Sequence, residues 1–494
     1  MDARMKETAT STISAKALRA LVSNRLQVVV APLLALAAVV FVSRLPFLSS
    51  GYGFDADAWL IALSARQIAA TGEYVASRLP GYPIPELFYA LIPDSGPFVF
   101  NAITALLSAA AAVLFARIFK AFGGRDHILA GLAFAFTPVI YINSANSMDY
   151  LWALTFALGG LCCVLARRPL LAGALLGLAI GSRISTSAML VPLSLLLYQP
   201  TAGRANLKPL LKLWLGAGVV AAISYAPVIL TYGQNFFTVY EAPVTLLAVI
   251  ARATVQVWGE VGLVAILAAL ALAVLRPRTA RRGPSIPPVS RLTLAAWFTA
   301  IGVYGVAFLR LPLEAGYLIP AVPFCILALG RFLDRKLFVV VCLALIISPF
   351  LFNFSVPLIL DESLFSNYWT HFDLLGEDVA VDFLYGPLIY EHLSRVYSLR
   401  LVEQILAFGE QATGKTVVVA GSWIPRIEMA LGGDSQGKVE YVHLLDEAEA
   451  QAYRDRGYQL YYMPGLEDIG MDRYGANLVD ALNSRSASHQ SPAD

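Results

Sequence analysis

The chain has 494 residues, a formal net charge of +2, 58% hydrophobic residues and only 14% charged ones, with a mean hydropathy of +0.66. A water-soluble fold carries roughly a quarter charged residues, so most of this chain is solvated by lipid. The small net charge leaves no electrostatic footprint for a nucleic-acid partner. Cys162, Cys163, Cys325 and Cys342 all fall inside apolar segments, where neither a disulfide framework nor a zinc site is readable.

Residues 1–26 hold Arg4, Lys6, Lys16, Arg19 and Arg25 ahead of an apolar run from Leu26 to Val42. No small-residue cleavage site accompanies it, so the run reads as an uncleaved first span behind a cytoplasmic N-terminal segment. Runs suited to ~30 Å of hydrocarbon lie near 27–44, 97–116, 128–142, 148–166, 169–182, 185–199, 210–230, 260–275, 292–309, 317–331 and 337–359. The reading is an α-helical polytopic membrane protein with about eleven transmembrane helices over 27–360, in which the pair at 169–199 forms a tight hairpin.

Basic clusters fall at the N-terminus, at Arg117/Lys120/Arg125, Arg167/Arg168, Arg204/Lys208/Lys212, Arg276/Arg278/Arg281/Arg282/Arg291 and Arg331/Arg335/Lys336. All share one side if the spans alternate, and positive charge marks that side as the cytoplasm. The first loop (45–96), the turn at 143–148, the segment 231–259 and the tail from 360 then lie outside, in a multi-pass protein of the cell membrane.

The tail changes character. Thr416–Ala420, Val439–Leu445 and Gln459–Met463 read as buried strands separated by helical stretches, which predicts a small C-terminal α/β extracytoplasmic domain over 361–483. Gly421 is a lone glycine after a strand and specifies no nucleotide site. Residues 484–494 read as disordered. The sequence shows no internal repeat, which weakens a transporter built from inverted halves.

Between Asn101 and Leu360 the only acids are Asp126, Asp149, Glu241, Glu260, Glu314 and Asp334. Asp126 and Asp334 fall on the cytoplasmic side. The other four join Asp55, Asp57, Glu73 and Glu86 of the first loop at the outward face, where they predict a polar cavity, since an ionisable group at a membrane is a functional candidate. Asp55 and Asp57 open a stretch, Ala58 to Ala70, whose Trp59, Leu63, Ile68 and Ala69 suit a helix lying along the membrane surface. Either aspartate could simply cap that helix; two acids in one cleft would instead offer a general base. Arg78 precedes the rigid Pro80-Gly81-Tyr82-Pro83 turn and Glu86; it suits a carboxylate or phosphate, or a lipid head group. Arg183 sits with Ser182, Ser185 and Thr186 at the hairpin turn, where an anionic phosphate could be received, or it reads as a simple hairpin arginine. Asp149 reads as an N-cap or a site residue, and Glu314 as a solvated loop acid or a site residue beside Tyr317. The five histidines show no metal-ligand spacing.

Four features, in this order, resemble the polytopic glycosyltransferases of the GT-C type, which include protein mannosyltransferases and bacterial aminoarabinose transferases. They are the acidic first loop with its proline-rich turn (Asp55, Asp57, then Arg78 to Pro83), the aspartate opening span four (Asp149), the GLAIGSRIS hairpin (Gly177 to Ser185) and the GYLIPAVP segment (Gly316 to Pro323). The resemblance covers 27–360 loosely and omits the tail. It implies transfer of a sugar from a polyprenyl-phosphate carrier to a glycan, lipid or protein acceptor outside the cytoplasm, with inversion and a first-loop acid as base. Family members often carry adjacent acids; Asp-Ala-Asp here leaves Asp57 and Asp55 both open for that role. Arg78, Tyr82, Glu86, Asp149, Arg183, Glu314 and Tyr317 would hold substrates. Family members often place an arginine before the tyrosine of the penultimate segment; Gly316 stands there, which passes the phosphate to Arg183 or Arg310. No cofactor is specified, and a divalent metal is left open. A lipid or solute transporter is the competing reading, and a scaffold whose outer domain binds a partner is the third.

Overall fold

The computed structural model describes residues 15–198, 207–236, 244–275, 283–355, 369–374, 376–432, 439–467 and 470–489. It is mostly helical with a small sheet region near the C-terminus. Among the described residues, five helices have the length and apolar content to cross a membrane: Val30–Phe47, Gly96–Ala121, Leu207–Phe236, Arg291–Arg310 and Ala315–Phe332. A sixth arises if Leu246–Trp258 and Glu260–Leu275, bent by 90° at their junction, form one span.

The expected count of about eleven is thereby corrected. His127–Phe136, Tyr150–Leu165, Pro169–Ser182 and Ile184–Leu197 are apolar but only 10–17 residues long, reaching ~15–25 Å at the helical rise against ~30 Å of hydrocarbon. Local breakers account for the shortening. Thr137 turns to ψ 127° before Pro138, since the residue ahead of proline is pushed out of the α region. Arg183 is extended, with φ −159° and ψ 113°. Arg335–Ile347 likewise ends after 13 residues.

Helices Gly96–Ala121, Tyr150–Leu165, Pro169–Ser182 and Leu207–Tyr232 pack in succession. The tightest seam is made by Gly173, Gly177 and Gly181, four residues apart on one face: a Cβ added there would stand 2.2 Å from the Leu213 carbonyl oxygen, 2.6 Å from Val220 Cβ and 2.6 Å from Ser224 Cβ. Small residues at this spacing let apolar helices approach backbone to backbone, and the seam delivers Ser182 and Arg183 to one end of the bundle. Leu211, Ile223 and Leu230 on the outer side of Leu207–Tyr232 are 68%, 68% and 85% exposed, an apolar face suited to lipid rather than water.

The two ends of the bundle gather different loops. At one end Arg335 grips Asp126 (Nη2 to Oδ1 2.8 Å), and Ser285 donates to the same carboxylate at 2.7 Å. Asp149, Arg183 and Glu314 meet the first loop at the other end. Arg204, Arg276, Arg278, Arg281 and Arg282 of the basic clusters, and Glu241 of the acids expected outside, lie outside the described residues.

The first-loop helix, Ala56–Thr71, exists as expected, and its apolar face meets protein. Ala58, Trp59, Ile61, Ala62, Ala65 and Ile68 are buried in protein, because helices Pro83–Tyr89 and Ile424–Leu431 cover it.

The C-terminal region holds two sheets. Strands β1 (Asn353–Ser355), β2 (Trp369–Leu374) and β3 (Glu377–Asp382) form an antiparallel sheet in the order β1-β3-β2, so sheet structure begins ahead of the expected boundary at 360. The predicted strands appear as β4 (Thr416–Val419), β5 (Val439–Val442) and β6 (Gln459–Tyr462); with β7 (Ala476–Asn477) they run parallel in the order β5-β4-β6-β7. Strand β4 is buried on both faces, as parallel strands covered by helices are. Helix Leu478–His489 extends into the stretch expected to be disordered from 484; residues 490–494 lie outside the described residues.

This domain grips the first loop. Arg395, 3% exposed on helix Pro387–Glu410, donates to the carbonyls of Ser50 (2.9 Å), Gly51 (2.8 Å) and Ala145 (2.9 Å). Arg426 donates to the carbonyl of Phe54 and stacks its guanidinium near the Trp59 ring.

Candidate functional site

Three loops and the hairpin turn converge on one cluster of charge. Asp55 is the N-cap of Ala56–Thr71, its Oδ1 accepting from the Asp57 backbone N–H at 2.8 Å; the capping alternative holds for this residue. That bond leaves the Asp57 carboxylate in the first helical turn, where it meets Arg78 (Nε to Oδ2 2.7 Å). Glu86 is fully buried and accepts from Tyr74 Oη, Ser77 N (2.8 Å), Ser77 Oγ (2.5 Å) and Tyr82 N (3.0 Å). Its oxygens are consumed in holding the loop that carries Arg78 and Tyr82, so it shapes the site without facing the cavity.

Asp149 stands at the start of helix Tyr150–Leu165 yet makes no capping bond there. Its side chain, wholly shielded from solvent, accepts instead from two cations: Arg78 Nη2 at 2.9 Å and Arg183 Nη1 at 2.6 Å. An isolated buried carboxylate would be costly, and only paired, hydrogen-bonded geometry offsets that cost. The aromatic rings complete the cage. Arg78 lies 4.1 Å over the Tyr82 ring, and Arg183 lies 4.1 Å over Tyr150 and 5.0 Å over Tyr317. A Cβ on Gly316 would fall 2.7 Å from Tyr150 Cζ, so that position has room for nothing larger than glycine while the Tyr150 ring supports Arg183.

Beside this cluster opens a cavity of about 460 Å³ lined on its polar side by Asp57, Arg78, Arg183, Arg310 and Glu314, and on its apolar side by residues such as Ile184, Ala307, Leu311 and Leu313. Tyr82 and Tyr317 line it too. Arg78 Nη1 is buried and has no hydrogen-bond partner among the described residues, so one cationic donor of the cluster is uncommitted. Burial raises the Asp57 carboxyl, opposed by the adjacent Arg78 guanidinium. Burial, with the nearby Asp55 charge, pushes the Glu314 carboxyl up to about 7. Such a mixture of fixed cations, a near-neutral acid and an apolar wall can hold an anionic group and exchange a proton beside it.

Of the residues expected from sequence, Asp57, Arg78, Tyr82, Arg183, Glu314 and Tyr317 therefore line one cavity, Asp149 sits directly behind them, and Asp55 and Glu86 serve the loop. Tyr150, Arg252 and Tyr304 escaped sequence reasoning. Tyr150 donates to Glu314, and Arg252 Nη1 donates to the Pro312 carbonyl at 2.6 Å, bracing the Glu314 loop. Adjacency to Asp149 was a signal for Tyr150; for Arg252 and Tyr304 the sequence carries none. A divalent metal does not fit the donor set: among the described residues no three potential ligands gather, and Asp57 and Asp149 are taken by arginines. Comparison with protein families, with curated proteins and with solved structures gave no match to this chain.

Proposed function

We propose that this chain is a polytopic membrane glycosyltransferase of GT-C-like architecture that moves a sugar from a polyprenyl-phosphate carrier to an extracytoplasmic acceptor. The reading places the chain in the cell membrane with its N-terminus cytoplasmic and its C-terminal domain outside. The single observation that carries it is the arginine pair around buried Asp149, with Arg78 Nη1 uncommitted, beside a cavity whose other wall is apolar. A polyprenyl phosphate has that polarity: an anionic head that gains charge as its bond to the sugar breaks, attached to a hydrocarbon tail. Cations fixed in advance where water is scarce stabilise such a leaving group. The crowding of Tyr150 against Gly316 supports Arg183 as the phosphate-facing residue in place of the arginine that the resembling family carries there. Between the first-loop acids, the capping bond commits Asp55, and Asp57 alone faces the cavity.

The test is mass spectrometry of lipids that co-purify with the protein, followed by transfer assays with whichever carrier is found. A polyprenyl-phosphate sugar that is consumed in the presence of a hydroxyl acceptor is the expected result. The competing transporter would move its solute or lipid across proteoliposomes with no acceptor added; flux there without any transfer refutes the proposal.

A further inference from the structure

The cavity contains two carboxylates, and they are not equivalent. Asp57 is locked to Arg78 at 2.7 Å, so a proton taken there would dissolve a charge-assisted bond and leave Arg78 with Asp149 as its one carboxylate partner, weakening the pairing that holds a buried guanidinium. Glu314 stands at the N-cap position of Ala315–Ala321 but caps nothing; its backbone is extended at φ −142° and ψ 140°. The carboxylate points instead to the hydroxyl of Tyr150, and among the described residues no lysine or arginine lies within ion-pair distance of it. Its position is fixed from both sides, by Tyr150 and by the Arg252 brace on Pro312.

Resting on the glycosyl-transfer reading, we infer that Glu314 accepts the proton of the acceptor hydroxyl, with Tyr150 orienting it, and that Asp57 serves as the counter-ion of Arg78. In the step so assigned, the acceptor oxygen bonds to the anomeric carbon while the bond from that carbon to the phosphate oxygen breaks. The electron pair of that bond leaves with the polyprenyl phosphate, and the hydroxyl proton passes to the Glu314 carboxylate and from there to water. The charged and titratable groups that act on Glu314 or line its cavity are Asp55, Asp57, Arg78, Tyr82, Tyr150, Arg183, Arg252, Tyr304, Arg310 and Tyr317. A carboxyl at about 7 is poised for proton transfer near neutral pH.

The experiment is the pH dependence of transfer by the purified full chain with a polyprenyl-phosphate sugar. Wild type should lose kcat/KM as the pH falls through about 7. Glu314→Gln should reduce kcat by ~10²–10⁴, leave donor KM unchanged and abolish that acid limb. Asp57→Asn should raise donor KM and keep the limb. Tyr150→Phe, which preserves the ring under Arg183, should move the limb upward by ~1 pH unit, since a hydrogen bond to a carboxylate favours its ionised form. Transfer by Glu314→Gln with rate and limb intact, or loss of the limb in Asp57→Asn, overturns the assignment; should Glu314→Gln not fold, an unshifted limb in Tyr150→Phe does so. A wild-type protein that transfers no sugar at all refutes the glycosyltransferase reading and this step with it.

Discussion

Replacing Asp149 with asparagine removes one charge from the centre of the site and asks how much of the structure depends on it. The carboxylate accepts from Arg78 at 2.9 Å and from Arg183 at 2.6 Å with no exposure to solvent. Arg78 retains Asp57 after the change, whereas Arg183 keeps, among the described residues, the Tyr150 hydroxyl at 3.4 Å and its aromatic neighbours. An asparagine can satisfy one guanidinium with its carbonyl oxygen, but its amide N–H₂ then confronts the other. Losing one partner of a buried ion pair costs ~3–5 kcal/mol, of which the one charge-assisted hydrogen bond that asparagine cannot replace supplies ~1.5–3 kcal/mol. The assay is reversible unfolding in mixed detergents followed by tryptophan fluorescence, for Asp149→Asn, Arg183→Met and the double variant Asp149→Leu/Arg183→Met. The double variant should recover much of the loss, because no uncompensated charge remains buried. A loss below ~1 kcal/mol in Asp149→Asn, the range of an exposed ion pair, would refute the claim that this carboxylate organises the site.

Two further outcomes follow from the seat of the C-terminal domain. Arg395→Ala leaves three carbonyl partners of one buried guanidinium behind and should destabilise the chain by at least ~3 kcal/mol; hydrogen exchange should rise over residues 50–59, and unchanged exchange there would show that the domain does not order the first loop. Glu391 lies partly buried beside Arg395, and burial pushes its carboxyl from 4.5 to about 7. A raised acid holds its proton more tightly when folded, so its contribution is full below 4.5 and is lost as the pH rises through about 7. The unfolding midpoint should therefore fall between pH 4.5 and about 7 more steeply in wild type than in Glu391→Gln; parallel slopes would contradict the assignment.

Much of this arrangement is written locally. The parallel strands β4, β5 and β6 follow from short apolar runs between helical stretches, and the meeting of Asp57, Asp149 and Glu314 at one end of the helical bundle follows from where charge is tolerated beside apolar runs. The spans were over-counted because hydropathy registers apolar length but not the break at Thr137-Pro138 or the extended Arg183. The apolar stripe of the first-loop helix is the same whether it meets lipid or protein; the helix that covers it, Ile424–Leu431, is some 350 residues away in sequence.

The sequence by itself determined that the chain is rich in apolar helices, several of them able to cross a membrane, that its acids collect near Asp55 to Glu86, Asp149 and Glu314, and that an α/β unit follows. Only the tertiary structure separated capping Asp55 from cavity-facing Asp57, turned Asp149 from a helix cap into the bridge between Arg78 and Arg183, and paired Glu314 with Tyr150. The reason is that a charged group's role is set by what desolvates it and what lies within about 3 Å, and those neighbours come from loops distant in the chain.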